Sequence, residues 1–184
     1  MAPDVALEID LNTPGALEAR VTDGTMDVAI VPVHRQSSSL TYTPLYVEHM
    51  TLYCGEGHPL FDAPPTLTAE QFNLRDYKYA GYAFNSPNMK AGASLGIKRA
   101  AKVQEEEALA LLVQSGRYLG FLADHVADTL VAKGRLRPLA SQKTSYSSTF
   151  AAITRKKPRP DRKTLEFVSC LKRYHDHGDA NARN

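Results

Sequence analysis

Residues 104–139 read QEEEALALLVQSGRYLGFLADHVADTLVAKGRLRPL, and this stretch decides the fold. Apolar residues recur at helical spacing from Leu109 to Val113, and Gly116 follows where a helix end favours a left-handed residue. The apolar run Leu119–Leu122 is too short for a helix and indicates a buried parallel strand. The pattern therefore predicts a helix followed directly by a strand.

A second helix and a second strand follow in the same stretch. Asp124 is placed to cap a helix whose apolar stripe runs from Val126 to Val131, and Gly134 closes it. Leu136–Leu139 reads as the next strand, a parallel neighbour of the strand before the helix. Such α/β units bring helix N-termini and strand C-termini to one edge, where small ligands usually bind.

The bulk composition places the chain among ordinary globular proteins. Its 184 residues suffice for one large domain or two small lobes, and 43% hydrophobic with 23% charged residues is typical of soluble domains. A net charge of +2 gives no global reason to expect a nucleic-acid or membrane partner. The N-terminus lacks the pattern of a signal peptide, so we expect a cytoplasmic protein in which Cys54 and Cys170 are free thiols.

The N-terminal residues predict a strand, a helix and a second strand. Val5–Leu11 alternates apolar and polar residues, as a half-buried strand does. Thr13 is a good N-cap and Pro14 a good first helical residue, while Gly24 marks the helix end. The apolar run Met26–Val31 then predicts another strand.

The remaining elements follow from the same signals. A short helix is predicted at Thr68–Phe72, and the Asn-, Ser-, Pro- and Gly-rich segment Ala83–Gly96 is predicted to be a loop. His58 precedes a proline and has no second candidate ligand nearby, which favours a turn residue over a metal ligand. Further strands are expected at Leu40–Tyr46, Val47–Cys54, Tyr77–Tyr82, Ile97–Val103 and Ser145–Thr154, and a final helix at Asp161–His175.

Three motifs in this chain follow a pattern known from one protein family. They are Gly24-Thr25-Met26-Asp27 before a strand, Pro44-Leu45-x-x-Glu48 followed by His58-Pro59-Leu60, and Leu112-Val113-x-x-Gly116 followed by Gly134-x-Leu136-x-x-Leu139. With these motifs the chain resembles the effector-binding domain of LysR-type transcriptional regulators. It departs from the family's usual pattern at Tyr118, where a glycine is common, and at Ala123, where a proline is common.

The resemblance implies a two-lobed α/β fold of the periplasmic-binding-protein type 2-like class. Each lobe would be a mixed sheet flanked by helices, and two hinge crossings would join the lobes. Lobe one would comprise 1–46 plus 146–184, and lobe two 47–145. A small metabolite would bind in the cleft opposite the hinge, since such clefts close around ligands.

The resemblance covers about residues 3–175, but only part of the family's length. The family's opening strand and helix, and its winged helix-turn-helix DNA-binding domain, have no counterpart in this sequence. We therefore expect an N-terminally truncated chain that contacts DNA only through an N-terminal domain of the intact protein. Family analogy also implies a homodimer or tetramer without membrane contact.

Ten residues in four stretches are candidates for effector binding. Three stretches lie where predicted strands end or helices begin, and the fourth, Ser145-Tyr146, lies at the return crossing between lobes. They offer hydrogen-bonding groups and, at Phe84, an apolar ring face. Helix capping, an ordinary polar loop and stabilisation of the helix dipole explain the same residues without a ligand. A carboxylate facing the ligand would repel an anion and suit a polyol, an amine or an aromatic hydroxyl. The candidates are Asn12, Thr13, Tyr82, Phe84, Asn85, Ser86, Gln104, Glu105, Ser145 and Tyr146.

The sequence shows no catalytic constellation. There is no Gly-x-Ser-x-Gly elbow, no glycine-rich phosphate loop and no His/Cys spacing for a metal. We therefore expect neither an enzyme nor a metal or other cofactor. The leading hypothesis is the effector-sensing half of a LysR-type regulator. A free-standing solute-binding protein, which would require export, and an enzyme on the same fold are the alternatives.

Overall fold

The computed structural model describes residues 5–64, 73–84, 86–139 and 141–181, with the backbone alone for 177–181. These residues form two compact units. Unit 1 contains the described residues up to Val47 and from Thr149 onward, and unit 2 contains Glu48–Ser148. The chain thus changes units after 47 and 148, against predicted boundaries after 46 and 145. That the units act as lobes around a hinge stays a prediction.

Unit 1 is built from helices packed on antiparallel strands. The strand β1 pairs with β7, with Ala29 opposite Ile153, and the core includes Val21 and Val31. Its elements are α1 (Pro14–Asp23), β1 (Ala29–Pro32), the first part of β2 (Leu40–Gly55), the last part of β7 (Ser145–Arg155) and α5 (Arg162–Asn181).

The helix α1 begins and ends at the predicted residues. Thr13 is its N-cap and Pro14 its first residue, although the Thr13 side chain makes no capping hydrogen bond. Gly24 follows the helix with φ of 83°, a left-handed conformation that glycine adopts without steric cost. Local sequence signals are therefore sufficient to define this helix.

The strand predicted at Val5–Leu11 is wrong. Residues 5–13 have no regular structure, and Ile9 and Leu11 are 85% and 82% exposed. A strand needs a neighbour for its backbone hydrogen bonds, and no described strand pairs with this segment. Asp10 instead forms an ion pair with Arg20, which ties the segment to α1.

Unit 2 combines antiparallel and parallel strands with three helices. The strand β2 is continuous from Leu40 to Gly55, where the sequence predicts two separate strands. Besides a 3-10 turn at Leu74–Asp76, the elements are β3 (Lys78–Tyr82), α2 (Pro87–Ser94), β4 (Lys98–Val103), α3 (Glu106–Gln114), β5 (Gly120–Ala123), α4 (Asp124–Ala132) and β6 (Leu136–Pro138).

The predicted pairing of the two strands in the opening stretch is also wrong. The strands β5 and β6 are not neighbours; each pairs antiparallel with β2. Phe121 lies opposite Leu52, and Leu136 lies opposite Gly55. The continuous β2 offers enough backbone N–H and C=O groups to pair with both β5 and β6. The sequence of 104–139 does not include β2 and so cannot predict this pairing.

The segment Ala83–Gly96, predicted to be a loop, contains the helix α2. Ser86 is its N-cap and accepts a hydrogen bond from the Met89 N–H at 3.3 Å, while Pro87 is the first helical residue. Asn88, 1% exposed, receives a hydrogen bond from the Tyr79 hydroxyl and donates to the Phe121 carbonyl at 3.1 Å. This network anchors a helix whose Gly- and Ser-rich composition favours a loop.

Three smaller outcomes complete the comparison. Asp124, predicted to cap α4, is the first residue of that helix and accepts a hydrogen bond from Tyr53 at 2.8 Å; Ala123 is the N-cap. Both cysteines are free, as predicted. The predicted helix Thr68–Phe72 lies outside the described residues.

In the described part of the chain, no helix is long and apolar enough to cross a membrane.

Candidate functional site

The carboxyl ends of three strands meet at one edge of unit 2. The strands β3 and β4 are parallel, with Tyr82 opposite Val103, and a parallel bridge between Tyr79 and Leu119 gives β5 the same direction. The helices α2, α3 and α4 begin just beyond these strand ends. We call this region, formed by 82–84, 86, 103–106 and 123–125, the carboxyl edge. Such edges hold ligands in many α/β proteins.

Aromatic rings provide apolar surface in this part of unit 2. The rings of Tyr82 and Phe84 stack with their centroids 5.0 Å apart and an angle of 17° between their planes. The ring of Tyr146 meets Phe121 edge to face, with centroids 5.4 Å apart. Ligand sites in proteins typically combine such apolar walls with a few polar groups.

Two carboxylates lie beside these rings. Glu106 Oε1 accepts a hydrogen bond from the Ala123 N–H at 2.9 Å, which fixes the carboxylate of α3 at the end of β5. Met50 lies opposite Ala123, so Glu48, two residues earlier in β2, lies beyond the end of β5. Burial raises the pKa of Glu48, the charge of Glu106 raises it further, and His125 partly opposes both.

The hydroxyls of Tyr82 and Tyr146 belong to the same cluster. Burial raises the pKa of both, and the charges of Glu106 and Glu48 raise them further. Both hydroxyls are therefore protonated at neutral pH and able to donate hydrogen bonds. Two carboxylates and two hydroxyl donors beside aromatic rings can position a small polar molecule.

The remaining predicted residues of unit 2 differ in their exposure. Ser86 is buried and already engaged in capping α2. Gln104, Glu105 and Ser145 are exposed, and Glu105 is the N-cap of α3 without a side-chain capping bond. Asn85 lies outside the described residues. Among the predicted residues, Tyr82 therefore lies against Phe84, whose ring stacks on it, and close to the hydroxyl of Tyr146.

The two predicted residues of unit 1 lie at the start of α1. Asn12 is exposed, and its side-chain oxygen accepts a hydrogen bond from the Thr13 N–H at 2.8 Å. The Thr13 hydroxyl makes no capping bond, so it is available to another partner. These residues belong to a different unit from the carboxyl edge.

Sequence reasoning missed Glu48 and Glu106 as site residues. Glu48 stands in the motif Pro44-Leu45-x-x-Glu48, which was interpreted only as a crossing between lobes. Glu106 stands in a run of three glutamates, of which Glu105 was chosen. Which of three consecutive glutamates turns toward β5 depends on where α3 begins, and the sequence alone does not determine that position.

Unit 1 contains a separate cavity of about 420 Å³ beside α5. None of its lining residues is a predicted site residue, and its walls are formed mainly by the helix surface. The lining residues are Val5, Leu7, Lys163, Glu166, Phe167, Ser169, Cys170 and Arg173. Across the described ranges, no three His, Cys, Asp or Glu side chains converge as metal ligands.

Comparison with known proteins identifies a matching domain family and a related transcriptional activator. Residues 1–176 match the model of the LysR substrate binding domain. The chain is 33% identical over 170 residues to the HTH-type transcriptional activator BauR of Pseudomonas aeruginosa, covering 92% of this chain and 55% of BauR. The chain thus spans about half the length of that activator.

Solved structures of regulatory domains share the fold. The regulatory domain of CcmR from Synechocystis PCC6803, in complex with 2-PG, matches with a TM-score of 0.78 at 15% identity, covering 95% of this chain and 85% of that one. The effector binding domain of QuiR in complex with shikimate matches with a TM-score of 0.73 at 16% identity, covering 90% and 79%. The fold predicted from the sequence is confirmed. The chain belongs to the LysR substrate binding domain family, the domain in which LysR-type transcription regulators sense small-molecule effectors.

Proposed function

We propose that this chain senses a small metabolite at the carboxyl edge of unit 2, as part of a LysR-type regulator. Tyr82, Phe84 and Tyr146 form the apolar walls, and Glu48 and Glu106 form the polar floor. The observation that carries this proposal is the meeting of three strand ends and three helix starts around these side chains. Asn12, Thr13, Asn85, Ser86, Gln104, Glu105 and Ser145 are further candidate contacts from the sequence.

The proposal includes a function of the intact regulator. DNA is contacted through an N-terminal helix-turn-helix domain, and the effector changes how subunits of a homodimer or tetramer pack. The name of the relative, an HTH-type activator, supports the helix-turn-helix domain. Binding of the effector between two lobes remains a prediction from the family resemblance.

We further propose that the chain has no enzymatic activity and acts in the cytoplasm. Membership in a family of regulatory domains supports both points. The carboxyl edge presents carboxylates and tyrosine hydroxyls, but the described residues there include no cysteine or serine nucleophile activated by a histidine. Binding, rather than a reaction, is the function that this chemistry suits.

A thermal-shift screen tests the site directly. A metabolite that binds the folded chain raises its melting temperature, because ligand binding stabilises the native state. We expect Tyr82→Ala and Tyr146→Ala to lower the affinity for such a ligand about tenfold or more, since each removes a ring and a donor.

The matched control for this screen is Tyr174→Ala. Tyr174 lies on α5 and is 75% exposed, so its removal should leave the ligand-induced shift unchanged. If a stabilising metabolite binds both tyrosine variants as tightly as the original chain, the carboxyl edge and the adjoining Tyr146 are not the effector site.

A further inference from the structure

Glu48 is a partly buried carboxylate that accepts no hydrogen bond from the described residues, although the charge of His125 partly stabilises it. It forms no ion pair with any of them, and the neighbouring Glu106 repels it. Partly buried charges in folded proteins are normally paired or hydrogen-bonded, because their desolvation is otherwise uncompensated. Glu48 therefore has an unmet requirement for a hydrogen-bond donor or a positive charge.

Acidic side chains lie at the helix starts of the carboxyl edge. The helix α3 has Glu105, Glu106 and Glu107 at its start, and α4 has Asp124. Of these, Glu106 acts directly on Glu48, and the exposed His125 partly offsets that repulsion. Arg99 is already engaged, since it donates to the Tyr82 carbonyl at 2.7 Å.

The positions of the two carboxylates favour a shared ligand. Glu106 uses one oxygen to accept the Ala123 N–H, so its second oxygen is free of any bond to the described residues. Tyr82 and Tyr146 lie close enough to Glu48 and Glu106 for the two charges to act on their hydroxyls, and the faces of tyrosine rings attract cations. Carboxylates combined with aromatic rings recognise ammonium groups by charge-assisted hydrogen bonds and cation–π contact.

We propose that the effector carries a protonated amine, which binds between the carboxylates of Glu48 and Glu106 and against the rings of Tyr82 and Tyr146. This inference rests on the proposed function of the carboxyl edge and specifies the chemistry of its ligand. A ligand that presents an anionic group to Glu48 would add a third negative charge, and the site would reject it.

The probes are four-carbon compounds that differ in charge. The chain is titrated with n-butylamine and 1,4-diaminobutane as cations, with butanoate as an anion and with 1-butanol as a neutral compound, at constant ionic strength and pH 7.5. We expect the amines, and the diamine most, to raise the melting temperature, while butanoate and butanol do not.

The decisive variant is Glu48→Gln, with Glu56→Gln as its matched control. Glu56 is exposed and lies just past the C-terminal end of β2, where it pairs with Arg135. Its substitution therefore changes the net charge by the same amount without altering the site. We expect Glu48→Gln to weaken amine binding at least tenfold and Glu56→Gln to leave it unchanged. Because Glu48→Gln removes a repelled charge, the variant should fold, and its melting curve without ligand verifies this.

The outcomes separate the two proposals. If no amine shifts the melting temperature, or if Glu48→Gln leaves the amine shift unchanged, the amine inference is wrong. A metabolite that carries no positive charge could also bind in a way that depends on Tyr82 and Tyr146. If the Glu48→Gln variant binds that metabolite as tightly as the original chain or more tightly, the amine inference is wrong but the effector site stands. If a metabolite binds with the same affinity when either tyrosine is replaced by alanine, the proposed effector site itself is wrong.

Discussion

His58 is a buried histidine in the turn that follows β2. It is 4% exposed, its Nδ1 accepts a hydrogen bond from the Leu60 N–H at 3.2 Å, and its ring lies 5.0 Å from that of Tyr77. An acceptor at Nδ1 requires the neutral ring with its proton on Nε2. Burial lowers the pKa of His58, in agreement with this tautomer. The sequence predicted a turn residue, and the structure adds that the turn depends on an uncharged imidazole.

This residue predicts a loss of stability in mild acid. The unfolded chain takes up a proton on His58 near pH 6.5, but the folded chain does so only at a lower pH. His58 therefore contributes stability above about pH 6.5, and this contribution falls as the pH drops toward the folded pKa, by at most about 1.4 kcal/mol per pH unit. Urea unfolding at pH 7.5, 6.5 and 5.5 measures the slope.

The His58→Gln variant isolates the effect. It should be less stable at pH 7.5 and should show a flatter dependence of unfolding free energy on pH. The exposed His49 provides the control, since His49→Gln should keep the original slope. Equal slopes in His58→Gln and the unaltered chain would show that another group is responsible.

At the scale of elements, two glycines that follow helices have similar backbones but different surroundings. Gly116 follows α3 with φ of 69°, and Gly134 follows α4 with φ of 67°. A Cβ at Gly116 would lie 2.2 Å from the carbonyl oxygen of Glu56, whereas a Cβ at Gly134 would meet no atom within 4 Å. Only the first glycine thus allows close packing of two backbone segments.

The pair separates conformational strain from steric contact. Gly134→Ala should cost about 1–2 kcal/mol, the usual penalty for a left-handed alanine. Gly116→Ala should cost about 3 kcal/mol or more, because the backbone of the turn after β2 must also move. Chemical denaturation of both variants measures the difference, and equal costs would contradict the close approach of Glu56.

The elements also show which sequence signals were sufficient. The helices α1 and α3 have apolar periodicity and a closing glycine, and both were predicted close to their observed bounds. The helix α2 was missed because the composition of Ala83–Gly96 outweighed the Ser86-Pro87 start signal and the anchoring contacts of Asn88. The hydrogen bonds that the buried Asn88 side chain makes to Tyr79 and Phe121 produce no periodic pattern in the sequence.

For the whole molecule, the predicted strand pairing was wrong, and the lobe boundaries, which rest on local cues such as Pro44 and the polar segment before Ser145, stay a prediction. The residues of β5 and β6 that pair with β2 lie 67 to 85 residues away in sequence, and no local pattern specifies them. For the same reason the joint position of Glu48 and Glu106 was not predictable.

The extent of the family match predicts how the chain behaves toward DNA. The match to the LysR substrate binding domain covers residues 1–176, and a domain that senses an effector is not an element that reads a DNA groove. We expect this chain alone to leave promoter DNA unshifted in a gel at about 100 mM salt. A full-length LysR-type regulator with its own operator provides the positive control. Sequence-dependent retardation by this chain would contradict the assignment.

The two thiols offer a built-in chemical reporter. Cys54 is fully buried, and burial raises its pKa to about 11, so it is almost entirely unreactive toward maleimide while unit 2 is folded. Cys170, on α5, is partly accessible. A fluorophore can therefore be attached to unit 1 through Cys170 without engineering. Because alkylation is irreversible, later labelling of Cys54 then reports the rate at which the interior of unit 2 first becomes exposed in each molecule.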